Sequence, residues 1–230
     1  MKKKFYCIIC ARGGSKGLAN KNIVKVNNKP LIFYTVDLAI KSGIFDRIIL
    51  STDSKKIFNL CSKKKIECFF IRDSSLSNDK SSKILAIRDA ILKSEEHFNE
   101  SCNYVCDLDV TSPLRNLKDL TYSFKKFKKK NFDNLFTVCV SRKNPYFNMI
   151  EFNENKEVQL VKKSKNKFYR RQDAPYVYEM NASIYFWKKE ILFKNNCLFR
   201  KKTGIYIMPY NRSIDIDTPA DLLLVKYFLK

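Results

Sequence analysis

Short apolar runs alternate with segments of helical spacing over roughly the first 140 residues. Phe5–Cys10 (FYCIIC) is apolar on both faces, the mark of a buried strand rather than a half-exposed one. Leu31–Lys41 sets Leu31, Val36, Leu38 and Ala39 at helical spacings. Arg47–Ser51 (RIILS) reads as a second strand, Ser54–Lys64 as a helix, and Cys68–Ile71 as a third strand. Ser81 and Ser82 offer caps to a helix carrying Ile84, Leu85, Ile87, Ile91 and Leu92. Tyr104–Leu108 is the fourth strand, Leu117–Lys128 a helix and Leu135–Val140 the fifth strand. This alternation predicts an α/β fold with a mainly parallel sheet flanked by helices. Right-handed crossovers then line up the loops after the strands along one edge, where ligands bind.

The pattern changes between residues 141 and 179, where Pro145, Pro175 and many charges interrupt strand-like pieces at Phe147–Phe152 and Val158–Val161. We read this stretch as an extended arm on a single domain spanning 1–230. Ser183–Trp187 and Gly204–Met208 resume the strand pattern. Thr218 followed by Pro219 and Asp221 is a strong helix start, leading into Leu222, Leu223, Val225 and Phe228.

Composition adjusts this picture in three places. No run of about 18 apolar residues is present, and the N-terminal run of about six is shorter than a signal-peptide core, so a cytoplasmic protein is expected. The net charge of +22 admits a nucleic-acid surface or an anionic small substrate. Its densest run, Lys125, Lys126 and Lys128 to Lys130, ends an amphipathic helix, where cations suit the dipole, and reads as a solvated helix end. The eight cysteines include a Cys7/Cys10 pair, but residues three apart on a strand point to opposite faces and cannot share a metal. Buried free thiols are the better account. The one histidine, His97, excludes histidine-driven triads.

The chemistry concentrates in Ala11–Asn22, ARGGSKGLANKN. It follows a strand, precedes a helix, and holds Gly13, Gly14 and Gly17, three of only five glycines. Glycine permits the tight turns that aim backbone N–H groups at phosphate, and Arg12, Lys16 and Lys21 add charge. The loop matches neither the Rossmann nor the Walker pattern. Near the other end, Asp215 and Asp217 in SIDID alternate on an extended segment and share one face. Two adjacent carboxylates suit magnesium, although Asp215 starting a turn and Asp217 capping the last helix is an alternative.

Together ARGGSKGLANKN, NNKPLIFYT, RIILSTDS, the TSPLR of Thr111–Arg115, RRQDAPYVYEMNASIYF and SIDIDTPADL resemble the acylneuraminate cytidylyltransferases, in the family's order and across nearly the whole chain. The resemblance implies a Rossmann-like α/β fold, a protruding arm that reaches across a homodimer, and magnesium or another divalent cation as cofactor. It implies transfer of CMP from CTP to the anomeric hydroxyl of a nine-carbon 2-keto acid sugar of the sialic, legionaminic or pseudaminic type, with release of pyrophosphate. Ala11, Arg12, Gly14, Ser15, Lys16, Lys21, Asn22, Arg72 and Ser82 are then expected to bind CTP, with Arg12 and Lys21 also catalytic. Asp215 and Asp217 become the metal ligands. Asp109, Arg115, Arg171, Gln172, Tyr178 and Asn181 are expected at the acceptor, though Arg170–Arg171 also suits salt bridges at an interface.

Two departures stand out. Many members place Gln-Pro before TSPLR; this chain has Asp109-Val110, so Asp109 is a candidate base for the attacking hydroxyl or a further metal ligand with Asp107. Where the family commonly has Asn-Gly-Ala, this chain has Asn181-Ala182-Ser183. The rival readings are activation of the eight-carbon acid Kdo, an inactive relative, and a basic nucleic-acid-binding protein. A salt-sensitive nucleic-acid shift that survives Asp217→Ala would mark the last.

Overall fold

The strand β1 (Phe5–Cys10) sends Phe5, Cys7 and Ile9 into one hydrophobic cluster and Tyr6 and Ile8 into another. A strand buried on both faces requires helices on both sides of its sheet. The computed structural model describes residues 3–14, 17–78, 81–194 and 196–229. After β1 come a small hairpin of β2 (Lys25–Val26) and β3 (Lys29–Pro30), then α1 (Leu31–Ser42), β4 (Arg47–Ser51), α2 (Lys55–Cys61), α3 (Lys83–Phe98) and β5 (Tyr104–Leu108). The chain continues through α4 (Leu117–Lys129), β6 (Asn134–Val140), β7 (Ile150–Phe152), β8 (Val158–Leu160), β9 (Tyr178–Lys188), α5 (Lys189–Lys194), β10 (Thr203–Ile207) and α6 (Pro219–Phe228).

The six-stranded sheet runs β10-β6-β9-β5-β1-β4. β1 is parallel to β4 and β5, and β6 to β10, while β9 lies antiparallel between β5 and β6. The expected α/β fold is therefore present, with one antiparallel strand inserted mid-sheet. The alternation also settles the cysteine pair: Cys7 lies in one cluster and Cys10 packs against the other, and all eight thiols are free. Among the described residues no helix is long and apolar enough to cross a membrane.

The third strand expected at Cys68–Ile71 does not form. Only Glu67 bridges to Ile49, after which Phe69 turns toward α3 and stacks on His97 at 4.2 Å. Ring packing outcompetes an edge ladder there. The expected caps hold: Ser82 accepts from Ile84 N, and Thr218 with Asp221 forms a capping box that starts α6. Asp217 is thus not the cap. In the 141–179 stretch, β7 and β8 form an exposed antiparallel hairpin that leaves Ile150, Phe152 and Val158 largely in water.

β9 is broken where Asn181 and Ala182 meet β6, and the register shifts there. Ala182 sits at φ 45°, in the left-handed region that Cβ disfavours. Asn181 anchors the break: it accepts from Thr137 Oγ1 at 2.7 Å and donates to Ser213 Oγ at 2.9 Å. Ala182→Gly is expected to stabilise the protein by about 1 kcal/mol. A thermal melt checks this by a rise of about 2–4 °C in Tm; an unchanged or lower Tm would mean that the bulge carries no strain.

Candidate functional site

The C-terminal ends of β1 and β5 open into a pocket of about 550 Å³, within the range of small-molecule sites. Among the described residues its wall carries four cations (Arg12, Lys21, Arg72, Lys83) and three carboxylates (Asp109, Asp215, Asp217).

The cationic wall is the loop that follows β1. Ala11 N donates to Ser51 O at 2.9 Å and Gly13 N to Asp53 Oδ1 at 2.8 Å, pinning the loop to the end of β4. Asn22 donates to Arg12 O at 2.9 Å and closes the loop on itself. Lys21 follows Asn20, which takes the left-handed conformation, and reaches Asp217 Oδ1 at 2.9 Å. Gly17 passes so near the carboxylate segment that a Cβ there would lie 2.6 Å from Asp217 O. Ser15 and Lys16 lie outside the described residues. Arg72 is buried, with Nε on Ser77 Oγ at 3.0 Å and its own N–H on Thr52 O.

The acidic wall comes from the end of β5 and from the SIDID segment. Ile216 N donates to Thr111 O at 2.9 Å, which lays the segment beside β5. Asp215 has a buried Oδ1 without a hydrogen-bond partner among the described residues. Burial pushes the Asp215 carboxyl up to about 6; a bond from Thr111 opposes this, and the charges of Asp109 and Asp217 reinforce it. Asp109 accepts from Lys83 at 2.7 Å, and the same ammonium lies 2.7 Å from Asp107 Oδ2. Burial also raises the Asp107 carboxyl, against the pull of Lys83. Although burial opposes it, Asp107 and Asp109 together hold Lys83 above the ordinary lysine range.

Of the sequence-derived site residues, Arg12, Lys21, Asn22, Arg72, Asp109, Asp215 and Asp217 share this pocket. The other described ones do not line it. Ala11 is fully buried beneath the loop, and Gly14 is exposed outside it. Ser82 commits its hydroxyl to capping α3; its neighbour Ser81 lines the pocket instead, with a buried Oγ that has no hydrogen-bond partner among the described residues. Arg115 lies under the floor, donating to Ser183 O at 3.3 Å and to Thr35 Oγ1. Asn181 is buried in the β9 break. Arg171 donates to Arg142 O at 3.0 Å, and it, Gln172 and Tyr178 are exposed on the arm side. Arg170 pairs with Asp173 at 3.0 Å. Sequence reasoning missed Lys83, although a lysine at the first position of a helix, against the dipole, was a signal that something acidic faces it.

A divalent cation fits the acidic wall. Asp215 brings an orphaned buried oxygen, and Asp217 on the same pocket is 70% exposed. Among the described residues no three or more His, Cys, Asp or Glu side chains form a cage of their own. Such a site leaves positions for water and phosphate oxygens, as magnesium requires.

Cations for phosphate on one wall and carboxylates for a hard cation on the other suit an α/β enzyme that transfers nucleotidyl groups. A family model described as Cytidylyltransferase matches residues 6–224. Post-translational flagellin modification protein B of Campylobacter coli is 42% identical over 97% of this chain and 94% of its own. CMP-N,N'-diacetyllegionaminic acid synthase of Campylobacter jejuni is 41% identical, again over 97% and 94%. A pseudaminic acid cytidylyltransferase of the same species is 34% identical over 99% and 97%. In structure, a CMP:2-keto-3-deoxy-manno-octonic acid synthetase complexed with CTP superposes with a TM-score of 0.70 at 14% identity, covering 99% and 98% of the two chains. The chain belongs to the cytidylyltransferase family, in the acylneuraminate branch that its motifs resemble.

An ionised Asp215 costs the fold energy, because its raised pKa means that the native state binds the proton more tightly than the unfolded chain does. That cost is present above about 6 and fades as pH falls toward the unfolded value of about 3.9. In the absence of divalent cations, Asp215→Asn is expected to melt about 2–4 °C above the parent at about pH 7.5. The gain should shrink as the melts are repeated down to about pH 5. Equal melting at the higher pH would show that Asp215 is not desolvated.

Proposed function

We propose that the protein transfers CMP from CTP to the anomeric hydroxyl of a nine-carbon 2-keto acid sugar and releases pyrophosphate. The carrying observation is that Arg12 and Lys21 share one pocket with Asp215, Asp217 and Asp109. Arg12, Lys21 and the glycine-rich loop, with Ser15 and Lys16, bind the triphosphate. Their fixed charge favours the transition state, in which negative charge grows on the departing pyrophosphate. Arg72 and Ser81, both on the pocket wall, take the nucleoside end.

Asp215 and Asp217 would hold magnesium, which supplies charge neutralisation at the phosphates when bound. Lys21 then has to share or leave Asp217, its present partner at 2.9 Å. Asp109 faces the acceptor and takes the hydroxyl proton. Arg171, Gln172 and Tyr178 do not line the pocket of their own chain; in a homodimer the arm would carry them to the partner's pocket. The relatives named for legionaminic and pseudaminic acids support an acceptor of this class.

The test is ³¹P NMR of CTP and magnesium with a panel of nine-carbon acids and the eight-carbon acid Kdo. The expected outcome is a new CMP phosphodiester and stoichiometric pyrophosphate with at least one nine-carbon acid. Turnover with Kdo alone would replace the acceptor class, and turnover with none would overturn the reading. Arg12→Ala and Lys21→Met should each lower kcat/KM by about 10²–10³-fold, as loss of one transition-state donor does. A monomer in sedimentation at assay concentration would remove the partner role of the arm.

A further inference from the structure

Among the described residues, Lys83 is the one cation of the pocket wall that was not expected at the site from the sequence; like Arg72, it lies outside the family motifs quoted above. Its Nζ lies 2.7 Å from Asp107 Oδ2 and 2.7 Å from Asp109 Oδ2. The residue opens α3, where the helix dipole disfavours a positive charge. Local preference is therefore violated in favour of the carboxylates. A violation of this kind, placed in a binding pocket, is the expected signature of a functional position.

We propose that Lys83 is the positioning residue for acceptor activation, holding Asp109 by Oδ2 so that Oδ1 is left to meet the attacking hydroxyl. The inference rests on the acceptor role given to Asp109 above. Three features support it. Asp107 is 1% exposed, lies on β5 two residues before Asp109, and holds the same ammonium from the buried side. The backbone of Asp109 is clamped on both sides, with its N–H on Ser183 O at 3.1 Å and its C=O accepting from Thr35 Oγ1 at 3.0 Å. Arg115, beneath, donates to both Ser183 and Thr35 and so secures that clamp. Finally, among the described residues Asp109 Oδ1 has only a long contact, accepting from Thr111 Oγ1 at 3.5 Å.

Two alternatives fit less well. As a receptor for the acceptor's own carboxylate, Lys83 would have to serve a third anion with one charge. As a stability element alone, the cluster would be a poor choice, because buried ion pairs gain little over apolar packing. In the step itself the anomeric O–H gives its proton to Asp109 Oδ1. The oxygen forms a bond to the α-phosphorus, and the bond to the β-phosphate oxygen breaks, its electron pair leaving with pyrophosphate.

The experiment is a kinetic cycle on the full chain, comparing Lys83→Met, Lys83→Arg, Asp109→Asn and the Lys83→Met/Asp109→Asn double variant. Lys83→Met should lower kcat about 10²-fold, the lower end for loss of base catalysis, with KM for CTP unchanged within about threefold. Lys83→Arg should restore most of the rate, and the double variant should be no slower than Asp109→Asn within about threefold. A raised KM for CTP at unchanged kcat would overturn the proposal by making Lys83 a phosphate ligand. Multiplicative losses in the double variant would overturn it by making the two residues independent. Circular dichroism checks folding, and Lys83→Gln, which keeps hydrogen-bond donors without charge, replaces Lys83→Met if that variant does not fold. If the parent turns over no acid in the panel, the function reading fails and this proposal falls with it. If the parent is active and the cycle is additive, only this proposal fails.

Discussion

Charge compensation at one sheet edge is the constraint on which the site depends. Four carboxylates, Asp107, Asp109, Asp215 and Asp217, converge above β1 and β5, and two lysines from distant parts of the chain meet them. Left alone, such a cluster repels itself, and its buried members would take up protons. The ordinary solution is to remove the carboxylates. Here they are retained, with Lys21 paired to Asp217 and Lys83 to Asp107 and Asp109, while Asp215 keeps a buried oxygen without a hydrogen-bond partner among the described residues. That is the arrangement expected where a hard cation, phosphate oxygens and a hydroxyl must be handled in one place.

The scaffold is organised to keep these charges in register. Asn181 ties the break in β9 to Ser213, at the head of the acidic segment. Ile216 is hydrogen-bonded to Thr111, and Gly17 allows the cationic loop to pass against Asp217. Arg115 and Thr35 hold the main chain at Asp109. Arg115 and Asn181, expected at the acceptor, are hydrogen-bonded within this scaffold. The +22 charge plays little part in this balance. Among the described residues, the Lys and Arg side chains on the pocket wall are Arg12, Lys21, Arg72 and Lys83, and the lysine run after Tyr122 closes α4 as its pattern predicts.

Much of this was legible in the chain itself. Strands buried on both faces leave continuous apolar runs, so β1, β4, β5 and β6 were readable, and Thr218-Pro219 fixed the start of α6. Cys68–Ile71 failed because an apolar run carries no information about whether rings or a ladder will claim it; Phe69 found His97. The loop and the SIDID carboxylates were visible because glycine, lysine and alternating aspartates have few other uses at those spacings. What one strand of text could not show is three-dimensional ownership. Ser82 and Ser81 are equivalent on paper, yet only one is free of capping duty. Arg115 and Asn181 were expected at the acceptor because an acidic sugar calls for cations and polar donors; the chain could not show that they are buried, with Arg115 on the carbonyl of Ser183 and Asn181 on the hydroxyl of Thr137.

The central claim is that the two walls form one nucleotide site, with the acidic wall engaged through a divalent cation. Calorimetric titration of CTP into the protein, with magnesium and with chelator, tests it most directly. The account predicts measurable binding that strengthens with magnesium, with the magnesium-dependent part abolished by Asp215→Ala and the remainder weakened by Arg12→Ala. CTP binding that ignores magnesium, or that survives both substitutions unchanged, would contradict it.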